Sequence, residues 1–297
     1  MNWLMSFLAM LGMMRPLNNL DGKIPVLLMS VILMAFLIWQ NNDVVVTKYE
    51  YMGKRLPKGF NGLKILHISD LHNKNFHGRL FDKIKDINPD IIVITGDLID
   101  RRRTNIPVAA ELVKNMAKTA PVYYASGNHE QLSGRYSEIR DTLIGLNVNV
   151  LDNSCILLNK NGDVISVSGI LDPSVNFGNK NYNPKKNTSY VKSSISEAVE
   201  DKKLFNILLS HRPEYFDVYE EEKVNLVFSG HAHGGQIRIP FLGGILSPDQ
   251  GFFPEYSEGM HSLGETTMVV SRGLGNSLFP FRVFNRPELV VVTLKSE

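Results

Sequence analysis

The sequence has a single cysteine, Cys155, among its 297 residues. One thiol excludes a disulfide within the chain and any metal site that needs several cysteine ligands. The sequence also lacks a large net charge, since 32 Lys and Arg residues face 30 Asp and Glu residues. This near balance gives no electrostatic reason to expect a nucleic-acid polymer as a partner. No solenoid repeat or low-complexity tract occurs, and the length suits one large domain or two.

Long uncharged apolar runs are scarce after the first forty residues. Ile24 to Trp39 is continuously apolar, and although it is shorter than the roughly 20 residues of a spanning helix, Trp39 is placed to act as an interfacial anchor. A shorter piece, Trp3 to Met14, suits an interfacial helix or half of a helical hairpin. A core helix would need a polar face, and a cleaved signal peptide would need a small-residue cleavage site. We therefore predict a membrane-anchor region over 1–43, with its span at about 24–40, and one domain over 44–297.

The basic residues that flank the span bear on its orientation. Arg15 and Lys23 precede the span, which favours a cytoplasmic N-terminal end and a main domain outside the cytoplasm. Lys48, Lys54 and Arg55 follow the span and leave the cytoplasmic face open as the alternative. The sequence does not indicate an oligomeric state.

Strands, polar loops and helices alternate beyond residue 43. We predict strands at 44–49, 63–69, 91–95, 122–125, 154–158, 164–168, 204–209, 225–228, 268–271 and 289–294, and helices at about 78–86, 106–119, 136–146, 194–201 and 214–220. A surface loop is predicted over 173–190, and the wholly apolar run at 91–95 indicates a strand buried on both faces. Such a pattern predicts a layered α/β fold, in which ligands bind at the carboxyl ends of strands.

Metal-ligating side chains follow these strands repeatedly. The set is Asp70, His72, Asp97, Asn128, His211, His231 and His233. Two carboxylates, an amide and four imidazoles are too many for one tetrahedral site, and they suit two ions of intermediate hardness such as Mn²⁺, Fe or Zn²⁺. If one carboxylate bridges, each ion receives four protein ligands, and such a pair generates a hydroxide that can attack phosphorus.

The order Asp-x-His, Gly-Asp, Gly-Asn-His-Glu, His, Gly-His-x-His resembles that of the calcineurin-like metallophosphoesterase superfamily. The sequences at 68–72, 230–236 and 271–275 look like its membrane-anchored bacterial phosphodiesterase branch, which includes UDP-2,3-diacylglucosamine hydrolases. The resemblance implies a two-sheet sandwich flanked by helices, in four layers. It also implies that Asp97 bridges two metals, one held with Asp70, His72 and His233, and the other with Asn128, His211 and His231.

The resemblance further implies a catalytic role for His129 beside the phosphoryl group, on the leaving oxygen. Asp100 would orient that histidine and Arg101 would contact phosphate, although Arg101, Arg102 and Arg103 could each simply face water. We interpret Glu130 as a brace of its loop.

Other conspicuous residues have ordinary interpretations. His67 is expected in the core, whereas His77 and His261 are expected in solvated loops. Arg212 either binds phosphate or pairs with a surface carboxylate. The apolar residues of the loop after the histidine pair suit packing, with a lipid contact as the alternative; they are Phe241, Leu242, Phe252 and Phe253.

The sequence thus predicts a membrane-tethered phosphoesterase with two divalent metal ions. Its expected substrate is a phosphodiester or pyrophosphate on a lipid-linked or nucleotide-linked molecule, attacked by metal-bound hydroxide. The alternatives are a phosphomonoesterase acting on protein or sugar phosphates, a non-catalytic scaffold of the same fold, and a metal-storage or sensing protein.

Overall fold

A computed structural model describes residues 20–176, 182–276 and 279–297. Its helices are α1 (Leu20–Asn42), α2 (Arg79–Ile87), α3 (Ile106–Met116), α4 (Asn128–Gln131), α5 (Tyr136–Gly145), α6 (Thr188–Ala198) and α7 (Phe216–Glu221). Its longer strands are β1 (Val45–Gly53), β2 (Lys64–Ile68), β3 (Ile91–Thr95), β4 (Val122–Ala125), β5 (Val148–Val150), β6 (Ser154–Lys160), β7 (Asp163–Gly169), β8 (Phe205–Leu209) and β9 (Leu226–Ser229). Four short strands follow, β10 (Arg238–Ile239), β11 (Gly243–Gly244), β12 (Leu246–Ser247) and β13 (Gly251–Phe252), before β14 (Gly259–Leu263), β15 (Thr266–Val270) and β16 (Glu288–Ser296).

Two six-stranded sheets form the body of the protein. The first sheet has the order β1-β16-β2-β3-β4-β5, and the second has the order β14-β15-β9-β8-β7-β6. Strands β2 to β5 run parallel in the first sheet, as do β15, β9, β8 and β7 in the second. Parallel neighbours bring the carboxyl ends of β2, β3 and β4 to one edge, and those of β8 and β9 to another.

Three apolar clusters arrange these sheets into four layers. One cluster packs the outer face of the first sheet against α2, α3 and α5. A second fills the space between the two sheets, and a third packs α6 and α7 on the outer face of the second sheet. Strand β3 is buried along its whole length because it has packing partners on both faces. The predicted two-sheet sandwich flanked by helices is confirmed.

Several predicted elements differ in the structure. Helix α6 begins at Thr188, inside the stretch that we expected to be a loop, because Val191, Ile195 and Ala198 recur at helical spacing and are buried. The remainder of that expected loop includes residues 177–181, which lie outside the described residues. Strands β5 and β14 were not predicted, and His261 belongs to β14 rather than to a loop. His67 is fully buried in β2, as expected.

Helix α1 is long and apolar enough to cross a membrane, with a mean hydropathy of 2.0 over Lys23–Asn42 and 17% of that window buried. Its C-terminal end packs on the domain, where the Asn276 side-chain amide donates to Asn41 Oδ1 at 2.8 Å. Most of the remaining apolar side chains of α1 are exposed. The shorter apolar piece from Trp3 to Met14 lies outside the described residues.

Candidate metal centre

The seven predicted ligands all lie just beyond the carboxyl ends of strands in the two sheets. Asp70 and His72 follow β2, Asp97 follows β3 and Asn128 begins α4 after β4, whereas His211 follows β8 and His231 and His233 follow β9. The sheets meet here through a direct contact, since the His211 ring donates from Nδ1 to the Thr95 carbonyl at 2.6 Å. None of the seven side chains belongs to a residue more than 7% exposed.

The first half of this cluster, which we call site A, contains Asp70, His72, Asp97 and His233. One ligand atom from each lies within 4.8 Å of the others. His72 Nε2 is 3.1 Å from His233 Nε2 and 3.6 Å from Asp97 Oδ2. His233 Nε2 is 3.3 Å from Asp70 Oδ1. These four atoms therefore face one shared point.

The second half, site B, contains Asp97, Asn128, His211 and His231. His211 Nε2 lies 3.3 Å from Asp97 Oδ2, 3.2 Å from Asn128 Oδ1 and 3.2 Å from His231 Nδ1. The same oxygen, Asp97 Oδ2, is thus near the histidines of both halves. The geometry matches the arrangement in which Asp97 lies between two ions.

The donor set fits divalent cations. Carboxylate oxygens and imidazole nitrogens are packed together in a buried space, where such lone pairs repel one another unless a proton or a cation lies between them. The combination of N and O ligands without sulfur suits Mn²⁺, Fe and Zn²⁺. These residues can therefore hold metal ions.

The backbone at the ligands is strained. Asp70, His72, Asp97, His231 and His233 all have positive φ angles, between 46° and 63°. Residues other than glycine seldom adopt this left-handed region, and each instance costs on the order of 1–3 kcal/mol. Five instances among seven ligands show that the chain holds these side chains in place against a local energetic cost, as functional sites often do.

Two glycines allow the backbone to pass close to the carboxylates. A Cβ atom on Gly230 would lie 1.9 Å from Ser69 Oγ and 2.4 Å from Asp70 Oδ2. A Cβ atom on Gly127 would lie 2.3 Å from Asp97 Oδ1. Any larger residue at either position would displace a carboxylate of the cluster.

Neighbouring acids and bases of the cluster shift one another's pKa values in opposite directions. Burial alone would raise the pKa of the Asp97 carboxyl, but His211 and His129 beside it hold that pKa well below its ordinary value. Burial alone would lower the pKa of His211, but Asp97 raises it to about 10. In the metal-free protein the histidine therefore keeps a proton that a cation would displace.

Glu130 braces the loops that carry these ligands, as the sequence suggested. Its carboxylate accepts hydrogen bonds from the backbone N–H groups of Asp97 at 2.8 Å, Gly127 at 2.9 Å and Ile99 at 3.1 Å. Burial and the neighbouring charge of Asp97 raise its pKa to about 7. No ligand contact is needed to explain this residue.

His129 lies beside site A, with its ring centroid 4.4 Å from that of His72. Its Nδ1 accepts the Arg101 backbone N–H at 3.2 Å, so the proton of the neutral ring is on Nε2. Asp100 Oδ1 is 3.8 Å from the same Nδ1, beyond hydrogen-bond distance. The contact that orients the ring is thus the Arg101 backbone, whereas the predicted roles of the Asp100 and Arg101 side chains stay predictions.

Arg212 meets one of its two predicted roles in part, because one of its carboxylate partners, Asp249, is exposed while another, Asp172, is buried. It is 1% exposed, and it donates twice to Asp172, from Nε at 2.6 Å and from Nη2 at 3.2 Å. Its Nη1 also donates to Asp249 Oδ2 at 2.6 Å. Arg212 thus pairs with the buried Asp172 and with Asp249, which is exposed and next to the cluster, and its Nη1 also lies 3.3 Å from Glu214 Oε1.

Asp249 is the residue that our sequence reasoning missed. Its Oδ2 accepts a hydrogen bond from His231 Nε2 at 2.8 Å, which leaves His231 Nδ1 free to face site B. A carboxylate behind a ligating histidine fixes the ring and its tautomer. The only signal in the sequence was an acidic residue in the Gly- and Pro-rich loop after the histidine pair, which is too weak to single it out.

Buried carboxylates and imidazoles at the strand ends of a two-sheet α/β sandwich define a metal-dependent hydrolase. Residues 63–235 match the family described as calcineurin-like phosphoesterase. The chain belongs to this family, and it is a hydrolase of phosphoester bonds. The predicted superfamily is thereby confirmed.

Individual relatives agree with this assignment. The uncharacterized metallophosphoesterase YkuE of Bacillus subtilis (strain 168) is 31% identical over 265 residues, which cover 85% of this chain and 86% of YkuE. The phosphodiesterase YaeI of Escherichia coli (strain K12) is 25% identical, over 78% of this chain and 82% of YaeI. A "transmembrane protein with metallophosphoesterase domain" of Danio rerio is 27% identical, over 84% of this chain and 57% of that protein.

Proposed function

We propose that the chain is a membrane-anchored phosphodiesterase that uses two divalent cations, one in site A and one in site B. The observation that carries this proposal is the shared position of Asp97 Oδ2, which is 3.6 Å from His72 Nε2 and 3.3 Å from His211 Nε2. Cations held there supply Lewis acidity toward a phosphoryl oxygen and lower the pKa of water toward neutrality. The identity of the native metals within the Mn²⁺, Fe and Zn²⁺ group is left to metal analysis.

His129 acts on the phosphoryl group in this proposal. Burial lowers its pKa to about 4, so the ring is neutral near pH 7, and its Nε2 carries the proton. A neutral imidazole in this tautomer donates a hydrogen bond to a phosphoryl or leaving oxygen. This favours charge stabilisation over full proton transfer as its contribution.

The substrate class follows from two separate observations. The named activity of YaeI supports a phosphodiester bond as the one that is cleaved, and a pyrophosphate bond is the related class that we also expect. The apolar helix α1 supports a molecule that is found at a membrane, such as a lipid-linked phosphoester. A nucleotide-linked substrate and a phosphomonoester stay the alternatives. We place the domain outside the cytoplasm because of Arg15 and Lys23, with the cytoplasmic face as the alternative.

The test uses the full chain in detergent, loaded with Mn²⁺ or Zn²⁺. We expect turnover of bis-p-nitrophenyl phosphate to exceed that of p-nitrophenyl phosphate, and to stop after chelation. His129→Ala should lower the diester rate on the order of 10²–10⁴-fold. The matched control is His77→Ala, because His77 is exposed and outside the cluster.

Three results would decide against parts of the proposal. Undiminished turnover by His129→Ala would contradict the role of that residue, and turnover that survives chelation would contradict the metals. A faster rate on the monoester would favour the phosphomonoesterase. A screen of phospholipids, UDP-sugars and cyclic dinucleotides with the same preparation then identifies the substrate class.

A further inference from the structure

Large apolar side chains are exposed on the segment that follows the histidine pair and on a second segment, between β15 and β16. Phe241 is fully exposed, Leu242 is 69% exposed, and Phe284 is 53% exposed. Phe241 and Leu242 form the tip of the β10–β11 hairpin, and all three residues line one shallow depression of the surface. We call these three residues the apolar patch.

The patch is continuous with helix α1. The Phe284 ring lies 5.6 Å from the Phe36 ring, edge to face. The β10–β11 hairpin lies beside the same segment, because the Arg238 N–H donates to the Val283 carbonyl at 3.0 Å. The exposed tip of the hairpin and the apolar surface of α1 are therefore linked through Phe284.

Apolar residues are followed by polar residues both along α1 and along the segment that contains Phe284. The change occurs near Trp39 in both. Along α1, Phe36 is followed one turn later by Trp39, and then by Asp43, whose carboxylate accepts from Trp39 Nε1 at 2.9 Å. Along the second segment, Phe284 contacts Phe36, and Arg286 lies over the Trp39 ring at 5.1 Å and pairs with Asp43. Because Trp rings mark the boundary between lipid and water, Phe284 contacts α1 on the lipid side of that boundary.

The backbone of the apolar patch adopts an uncommon conformation at two residues. Phe241 and Phe284 have φ angles of 70° and 51°, in the left-handed region that favours Gly or Asn. A bulky residue is costly there, and the exposed Phe241 ring gains little from packing against the described residues. A contact of the Phe241 ring outside the chain would offset this cost.

We infer that the apolar patch enters the lipid bilayer beside α1, so that the domain docks on the membrane as well as being tethered to it. The inference rests on α1 being a membrane span, and it is independent of the reaction. It also gives the site a fixed relation to the lipid surface. The chain runs directly from His233 into this hairpin and then returns to the cluster at Asp249.

The experiment measures depth with a nitroxide label on the full chain in vesicles of phosphatidylethanolamine and phosphatidylglycerol. Cys155→Ser removes the native thiol, and Phe241→Cys places the label on the patch. Leu157→Cys is the matched control, since Leu157 is an exposed apolar residue on β6, the edge strand of the second sheet, whereas the patch lies on the separate β10–β11 hairpin and at Phe284. Ile32→Cys, in the middle of α1, reports whether the helix spans the bilayer.

We expect the label at position 241 to be accessible to oxygen but protected from a water-soluble paramagnetic chelate by at least about tenfold relative to position 157. Equal chelate access at 241 and 157, with position 32 protected, would overturn the inference. Protection of 241 from both reagents would also overturn it, because it would mean a contact with protein, such as a second copy. Chelate access at position 32 would remove the span, and with it the docking, while leaving the hydrolysis assay unaffected.

Discussion

The two halves of the metal cluster share Asp97 but differ in what lies behind their histidines. In site B, His211 donates from Nδ1 to the Thr95 carbonyl at 2.6 Å, and His231 donates from Nε2 to Asp249 at 2.8 Å. In site A, neither Nδ1 of His72 nor Nδ1 of His233 has a hydrogen-bond partner within the described part of the chain. One half is therefore supported by a second layer of polar contacts, and the other is held mainly by backbone and packing.

This difference bears on how firmly each half should hold an ion. Outer contacts fix the orientation and tautomer of a ligating histidine, and losing them commonly costs 10- to 100-fold in metal affinity. We therefore expect site B to be the tighter and more slowly exchanging half.

Removing the shared carboxylate should have the largest effect. Asp97→Asn keeps a side chain that tolerates the left-handed backbone, but it removes the charge that faces both halves. We expect bound metal to fall from about two ions per chain to fewer than one, with diester hydrolysis lost.

Metal analysis after gel filtration checks this expectation. Asp141→Asn, at an exposed position remote from the cluster, is the control and should keep both ions. Retention of both ions by Asp97→Asn would contradict the expectation, because it would mean that neither half depends on the charge of the shared carboxylate.

The next largest effect should come from Asp249→Asn. An amide can still accept from His231 Nε2, but it lacks the charge that also binds Arg212. We expect the affinity of site B to fall about 10- to 100-fold while site A is unchanged. Competition with a fluorescent chelator measures both constants, and an equal loss in both halves would show that Asp249 acts on the whole cluster.

A third prediction concerns the wild-type protein alone. A chelator should remove the two ions in two phases whose rates differ by about tenfold or more, the faster phase emptying site A. Mn²⁺ electron paramagnetic resonance can follow the process, because the coupled spectrum of an ion pair should give way to that of a single ion. Removal in one phase, with no single-ion spectrum, would mean that the missing contacts of site A are of no consequence.

The ligands could be predicted from sequence because they stand at strand ends, which parallel pairing brings together. Asp70, Asp97 and His231 are far apart along the chain, yet each directly follows a recognisable apolar strand. Asp249 could not be found in this way, since its loop has no periodicity that fixes where it returns. The two roles that we considered for Arg212 did not include its buried partner Asp172 for the same reason.

The remaining errors have a common physical cause. Helix α6 has a buried face at Val191 and Ile195, but Asn and Lys residues before it gave the stretch the composition of a loop. We gave packing as the first interpretation of Phe241 because most apolar residues are packed, yet the hairpin tip exposes this ring. Composition describes a segment by itself, whereas burial depends on which distant segment covers it.

The last prediction needs no mutation and concerns a proton released on metal loading. Asp97 raises the pKa of His211 to about 10 in the metal-free protein, so at pH 7 the ring is protonated, and a cation requires the neutral form. The affinity of site B should therefore fall about tenfold for each unit by which pH is lowered from 8 to 6. Calorimetric titrations in two buffers of different ionisation enthalpy count the protons, and a count of zero at pH 7 would contradict the assigned charge state.

The pairing of β1 with β16 has a consequence for the order of events during synthesis. Val45, just after α1, lies opposite Glu288, more than 240 residues later in the chain. At about 5–20 residues per second, a ribosome needs on the order of 10–50 seconds to make the intervening segment. Throughout that time the first sheet lacks the strand that joins β1 to β2, so α1 has the opportunity to reach a lipid bilayer before the domain behind it can close.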